Sequence, residues 1–197
     1  MIRPVTFTFY SEVDMTLHEL NLAIVKWADD RKILAHSSAY AQAFKTAEEV
    51  KELVEALYLM RYLMAYKVSD WDYQHERTHE QIMDAIGDIY VTLIVGSTLY
   101  DEEYCDLVTP TSQRSSVVPS SVPNPVDRLQ KALIPLGAAC KGQGSYWMTW
   151  LLMVAYISQI AEEAGTTLVD CVKQAYDQIK DRKGHLTAEG IFVKEEV

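Results

Sequence analysis

Apolar residues recur at three- and four-residue spacing along most of this chain, the period of a helix that buries one face. Over 14–34, Leu17, Leu20, Ala23, Ile24, Trp27 and Ala28 form such a stripe, with Asp14 or Thr16 placed to cap its start. His36-Ser37-Ser38 breaks the pattern. A second helix is predicted over 39–67, with Phe44, Ala47, Leu53, Leu57, Met60 and Met64 as its apolar stripe. A third is predicted over 76–99, where Ile82, Ile86, Ile89, Leu93 and Val95 face inward. Between these two, 68–72 reads as a polar turn carrying Trp71.

The second half is less regular. The segment 126–140 is amphipathic, but Pro135 inside it predicts a short, kinked or broken helix. A helix is predicted over 146–164, apolar nearly all round over 146–161 and stopped by Gly165. Thr166 or Thr167 then caps a final helix over 168–183, closed by Gly184. Two stretches lack the helical period. In 1–13, Val5, Phe7 and Phe9 alternate with Thr6, Thr8 and Tyr10, as in a short strand or an extended arm. An acidic run over 101–106 ends the third helix, and 109–125 holds four prolines among Ser and Val, which reads as a surface loop or mobile insertion. The predicted class is all-α: one domain over 1–197, a bundle of about four core helices with an insertion of loop and short helix at about 100–145.

Composition narrows the function. A chain of 197 residues, 49% of them hydrophobic, can bury a sizeable core. Its 18 Lys and Arg against 28 Asp and Glu leave a net charge of −10. That balance argues against nucleic acid and anionic membranes as partners, since both need a basic footprint. Three widely spaced cysteines without a CxxC argue against a disulfide framework and for a reducing cytoplasm. The N-terminal residues lack the apolar core of a signal peptide. The most apolar run, 146–161, is shorter than the roughly 20 residues a bilayer requires. A helix apolar on all sides must be covered on all sides, which predicts a homodimer or homotetramer with the site near the subunit contact.

The chemistry concentrates in acids. Glu49 and Glu52 stand three apart on one helix face, flanked by Glu48 and Glu55. Asp84 and Asp88 stand four apart on the next helix, and Asp88 directly precedes an apolar run, where an unpaired carboxylate is costly. Several carboxylates around one point make a hard oxygen site suited to Mg²⁺ or Mn²⁺. The alternative is a solvated acidic face partnered by Lys45 and Lys51. Gly87 favours the first reading, because a helical glycine costs about 1 kcal/mol against alanine and is kept where two helices or a ligand approach closely. Lys180, Arg182 and Lys183 gather three cations near a helix end, either to complement the macrodipole or to clamp phosphate.

The ordered set Trp27, Arg31, Gln42-x-x-Lys45-x-x-Glu48-Glu49-x-x-Glu52, Asp84-Ala-Ile-Gly-Asp88 and Ala175-Tyr176 through Lys180-Asp181-Arg182-Lys183-Gly184 to Gly190-Ile191-Phe192-Val193-Lys194 resembles the MazG-like family. These are all-α nucleoside triphosphate pyrophosphohydrolases, and the likeness is to small phage-encoded members. It covers 14–99 and 146–195. The resemblance implies cleavage of a (d)NTP between the α and β phosphates to (d)NMP and pyrophosphate, in the host cytoplasm for a phage-encoded member. The family pattern EExxE followed by ExxD holds Mg²⁺. Glu49, Glu52 and Asp88 match it, whereas Ala85 stands where the pattern has Glu, and Asp84 is the substitute expected from the same face.

On this reading Glu49, Glu52, Asp84 and Asp88 hold metal, and Glu48 is a further ligand or a general base. Lys45, Lys180, Arg182 and Lys183 steady the phosphates. Trp27 and Arg31 also bind the substrate, Trp27 offering a flat face to the base with Arg31 nearby. Two rivals come from other classes. A helical nucleotide-binding or interaction module with weak or no catalysis is supported by Ala85. A di-iron bundle needs two Glu-x-x-His pairs, and only Glu76-x-x-His79 is present.

Overall fold

The computed structural model describes residues 15–66, 70–100, 123–187 and 192–194. Expectations for 1–13 and for the acidic and proline-rich stretches between 101 and 122 therefore lie outside the described residues, as does Cys105. Among the described residues the chain is all-α apart from one small hairpin. The elements are α1 (Leu17–Asp30), α2 (Ile33–His36), α3 (Ala39–Ala65), α4 (Trp71–Tyr100), α5 (Pro125–Ala139), α6 (Tyr146–Glu163), α7 (Leu168–Ile179), β1 (Gly184–Leu186) and β2 (Phe192–Lys194).

The antiparallel pair α3 and α4 makes the largest contact in the molecule. Leu53 from α3 meets Ile82, Ile86, Ile89 and Leu93 from α4 in a single core, all essentially sealed from water. Burying each such side chain stabilises the fold by about 1.5–3 kcal/mol. α7 then packs on α4, α5 on α6, and α1 on α4 and α7. α4 is long and apolar enough to cross a membrane, but 72% of its most apolar stretch is buried in the structure, the position of a core helix.

Gly87 explains how α7 reaches α4. A Cβ there would collide with the carbonyl oxygen of Cys171 and stand 2.6 Å from Ala175 Cβ. The close approach inferred for this glycine is thus between helices, one residue before Asp88.

Several boundaries differ from the sequence reading. The first helix divides at Lys32, which adopts the left-handed region (φ 59°) and starts α2. Its cap is Thr16, in a reciprocal pair with Glu19. α4 begins at Trp71, inside the expected turn, and the Trp71 indole N–H donates to the Leu63 carbonyl across the corner. α5 continues through Pro135, which faces solvent, where water can satisfy the carbonyl its ring deprives of a donor. α7 ends at Ile179, and Gly184 opens β1 instead of closing the helix. The hairpin itself, with His185 opposite Val193, was not foreseen. Gly165 does end α6, at φ 81°.

Two members of the predicted α3 stripe face water: Phe44 is 60% and Met64 67% exposed. The apolar α6 is largely covered within the chain by α5, α4 and α7, leaving Met148 and Leu152 as its exposed large apolar residues. Cys140 and Cys171 are free thiols.

In an ordinary helix, alanine for glycine gains stability. Here Gly87→Ala should instead lower it by about 1–3 kcal/mol, because backbone must move to admit the methyl. Thermal denaturation against the wild type measures this.

Candidate functional site

A cavity of about 150 Å³ opens where α1, α2, α3, α4 and the end of α7 meet. Its polar lining is Lys45, Glu49, Asp88 and Arg182, with Gln42 and Thr92, and Trp27, Ile33, Val91 and Val95 are among its apolar walls. Two helices set this arrangement. On α3, Gln42, Lys45, Glu49 and Glu52 follow one another at three- and four-residue steps and share a face. On α4, Asp84, Asp88, Thr92 and Val95 do the same. The register is fixed by a 2.9 Å hydrogen bond between the Thr46 and Thr92 hydroxyls, and a Cβ at Gly96 would lie 3.3 Å from Gln42 Cβ. Because the helices run in opposite directions, Gln42 lies level with Gly96, and the Glu49–Glu52 turn lies level with Asp84–Asp88. One end of the shared face is acidic and the other mostly apolar.

The acidic end is electrostatically crowded. Glu49 is pushed up to about 7, first by burial and then by Asp88 and Glu52, with Lys45 opposing. Asp88 is pushed up to about 6 by burial and then by Asp84, with Arg182 opposing and Glu52 adding to the rise. Glu49, Glu52, Asp84 and Asp88 therefore sense one another across the helix pair. Asp84 also accepts a 2.7 Å hydrogen bond from the Gln178 amide on α7. Oxygen donors of this kind suit a hard divalent cation. Among the described residues, however, no group of three or more His, Cys, Asp or Glu is assembled to hold a metal ion. Ala85, where the family pattern has Glu, is buried in the core.

The eleven residues expected at this site divide sharply. Trp27, Lys45, Glu49, Asp88 and Arg182 line one cavity. Glu52 and Asp84 lie one turn further along the same faces, outside the lining but within electrostatic reach of it. Glu48 is exposed and ion-paired with Lys45 at 2.9 Å. Lys180 is engaged by Asp177 at 2.6 Å, and Lys183 is exposed; neither lines the cavity. Arg31 lies over the Trp27 ring, 5.3 Å from its centroid, and donates to backbone carbonyls at the end of α7. Of the rival readings, His79 is held by the Ala164 carbonyl at 3.0 Å and Glu76 is exposed, so the single Glu-x-x-His pair does not face a partner site.

Sequence reasoning missed Gln42 and Thr92 as cavity residues. Both were accessible by extending the acidic faces: Gln42 precedes Lys45 by three, and Thr92 follows Asp88 by four.

The raised carboxylates have a consequence for stability. Between about pH 4.5 and 7 the folded protein retains protons that the unfolded chain has released, so stability falls as pH rises through this window. Without divalent cations, melting temperature should decline across it. Glu49→Gln should flatten that decline and raise the melting temperature at pH 7.5 by about 2–4 °C. A wild-type profile that rises over this range would contradict the electrostatic picture.

No family model matches the chain, and no match is found among the curated proteins or the solved structures.

Proposed function

We propose that this chain is a Mg²⁺-dependent nucleoside triphosphate pyrophosphohydrolase, cleaving a (d)NTP between the α and β phosphates to (d)NMP and pyrophosphate. The observation that carries the reading is the two-ended face of the α3–α4 pair. Acids gather at one end of that face with Arg182 near Asp88, aliphatic residues follow toward the other, and Trp27 lines the same cavity. From Gln42 to Glu49 is seven residues, about 10 Å of helix rise, comparable to the reach of a nucleoside from base to phosphate. A cavity of about 150 Å³ admits a flat ring but not a whole nucleotide. The triphosphate would then lie along the acidic row outside it.

Glu49, Glu52, Asp84 and Asp88 would hold Mg²⁺ or Mn²⁺, which supplies charge neutralisation for the triphosphate and a more acidic water. Glu48, the acid outside that set, orients the attacking water and accepts its proton. Water oxygen bonds to the α-phosphorus as the bond from that phosphorus to the bridging oxygen breaks, and pyrophosphate leaves with the electron pair. Arg182 and Lys45 meet the charge that grows on the leaving group. Trp27 and the aliphatic wall hold the base.

A second reading is a nucleotide-binding module with weak or no catalysis. It is favoured by Ala85 and by the lack of an assembled three-carboxylate group among the described residues. Self-association into a homodimer or homotetramer is also proposed. Its support is no longer α6 but the exposed Tyr58, Leu59, Tyr62 and Met64 on the second half of α3.

Incubation with Mg²⁺ and each common dNTP should release dNMP and pyrophosphate in equal amounts. Glu52→Ala and Asp88→Asn should each reduce the rate on the order of 100-fold. No release by the wild type, or full release by Glu52→Ala, would contradict the reading, and tight binding without turnover would support the module instead. Light scattering at micromolar concentration should give a dimer or tetramer mass; a monomer would contradict self-association.

A further inference from the structure

The end of α7 is held in an unusual way. A helix leaves its last carbonyls without partners, and glycine in the left-handed region commonly closes it. α7 has no such glycine: Lys180 at its C-cap is still helical, at φ −52°. The Tyr176 and Ile179 carbonyls accept from the Lys180 and Arg182 backbone N–H groups, and the carbonyls of Lys180 at the cap and Arg182 just past it are met by a side chain distant in sequence. Arg31 Nη2 donates to the Lys180 carbonyl at 2.8 Å and to the Arg182 carbonyl at 2.9 Å, and Arg31 Nε donates to the Arg182 carbonyl at 3.1 Å. The fork of the guanidinium spans both acceptors at once, which a lysine ammonium cannot do in the same way. The same guanidinium rests over the Trp27 ring.

Arg31 sits where this reach becomes available. It is the C-cap of α1, directly before the left-handed Lys32. Arg31 does not line the cavity, while both residues it braces, Trp27 and Arg182, do.

We infer that Arg31 is a positioning residue, a strut that fixes the 180–182 backbone and so aims the Arg182 guanidinium at the acidic end of the cavity. This replaces the direct substrate contact expected for Arg31 from sequence. The inference rests on the proposed pyrophosphohydrolase reading for its effect on rate, but the bracing of 180–182 stands apart from any activity. Removing Arg31 leaves Arg182 in place chemically and unfixed in space. Its charge then no longer meets the leaving group at a set position, so the loss falls on the chemical step rather than on substrate binding.

A double-mutant cycle with Arg31→Met and Arg182→Met tests this, read by pyrophosphate release with Mg²⁺ and dNTP and by amide hydrogen exchange of 180–187 without nucleotide. Each single variant should lower kcat about tenfold or more with KM within about twofold. The double variant should fall no further than Arg182→Met, because the strut acts through Arg182. Exchange at 180–182 should rise in Arg31→Met and stay near wild type in Arg182→Met. Arg31→Lys should recover only part of kcat. Multiplying losses in the double variant, or a rise in KM alone, would return Arg31 to direct substrate contact and overturn the proposal. Unchanged exchange in Arg31→Met would overturn it as well. A wild type that cleaves no nucleotide would refute the pyrophosphohydrolase reading, while the exchange result would still decide whether Arg31 braces 180–182.

Discussion

The antiparallel register of α3 against α4 is the constraint on which the rest depends. A shared apolar seam holds the two helices, and the Thr46–Thr92 hydrogen bond pins one against the other. A slip of one turn, about 5.4 Å, would move Glu49 away from Asp88 and Gln42 away from Gly96. The acidic turns of the two helices then would not coincide, and the contributions that Asp88 makes to the raised Glu49 and Glu52 makes to the raised Asp88, added to that of burial, would be lost. Like charges gathered in a partly buried place oppose folding, and the apolar seam must outweigh them. That is the common relation between a stable scaffold and a strained site.

α7 completes the site because Gly87 lets it come close. Without a side chain at that point, the Cys171 turn lies directly on α4, beside Asp88. The helix then delivers Gln178 to Asp84 and, past its end, Arg182 to the cavity. A small residue on one helix thereby controls where a cation on another arrives. Arg31 completes the same path from the opposite side, through the carbonyls of Lys180 and Arg182.

Features written in local periodicity were legible in the sequence. The long helices follow from three- and four-residue spacing, and the acidic pairs Glu49 with Glu52 and Asp84 with Asp88 follow from the same geometry. Features that depend on a distant partner were not. Gly184 looks like a helix stop, yet α7 ends at Ile179, and Arg31, about 150 residues away, takes the carbonyls of Lys180 at the cap and of Arg182 beyond it. Pro135 looks like a breaker, yet it faces solvent, where its missing bond costs less. Lys32 carries no composition signal for the left-handed region it occupies. Phe44 and Met64 fit the apolar stripe of α3 but extend beyond what α4 and α5 cover. Of the cations, only the fold could separate Arg182, which reaches the cavity, from Lys180, which turns to Asp177.

On the proposed function, the acidic and apolar ends of the α3–α4 face receive the two ends of one nucleotide. The most direct measurement is a crystal structure with Mg²⁺ and a dNTP whose α–β bridging oxygen is replaced by a non-cleavable group. Metal density is expected between the Glu49–Glu52 and Asp84–Asp88 turns, with phosphates facing Arg182 and the base in the cavity beside Trp27. Nucleotide density elsewhere on the molecule, or a base lying over the acids with the phosphates in the apolar end, would contradict it.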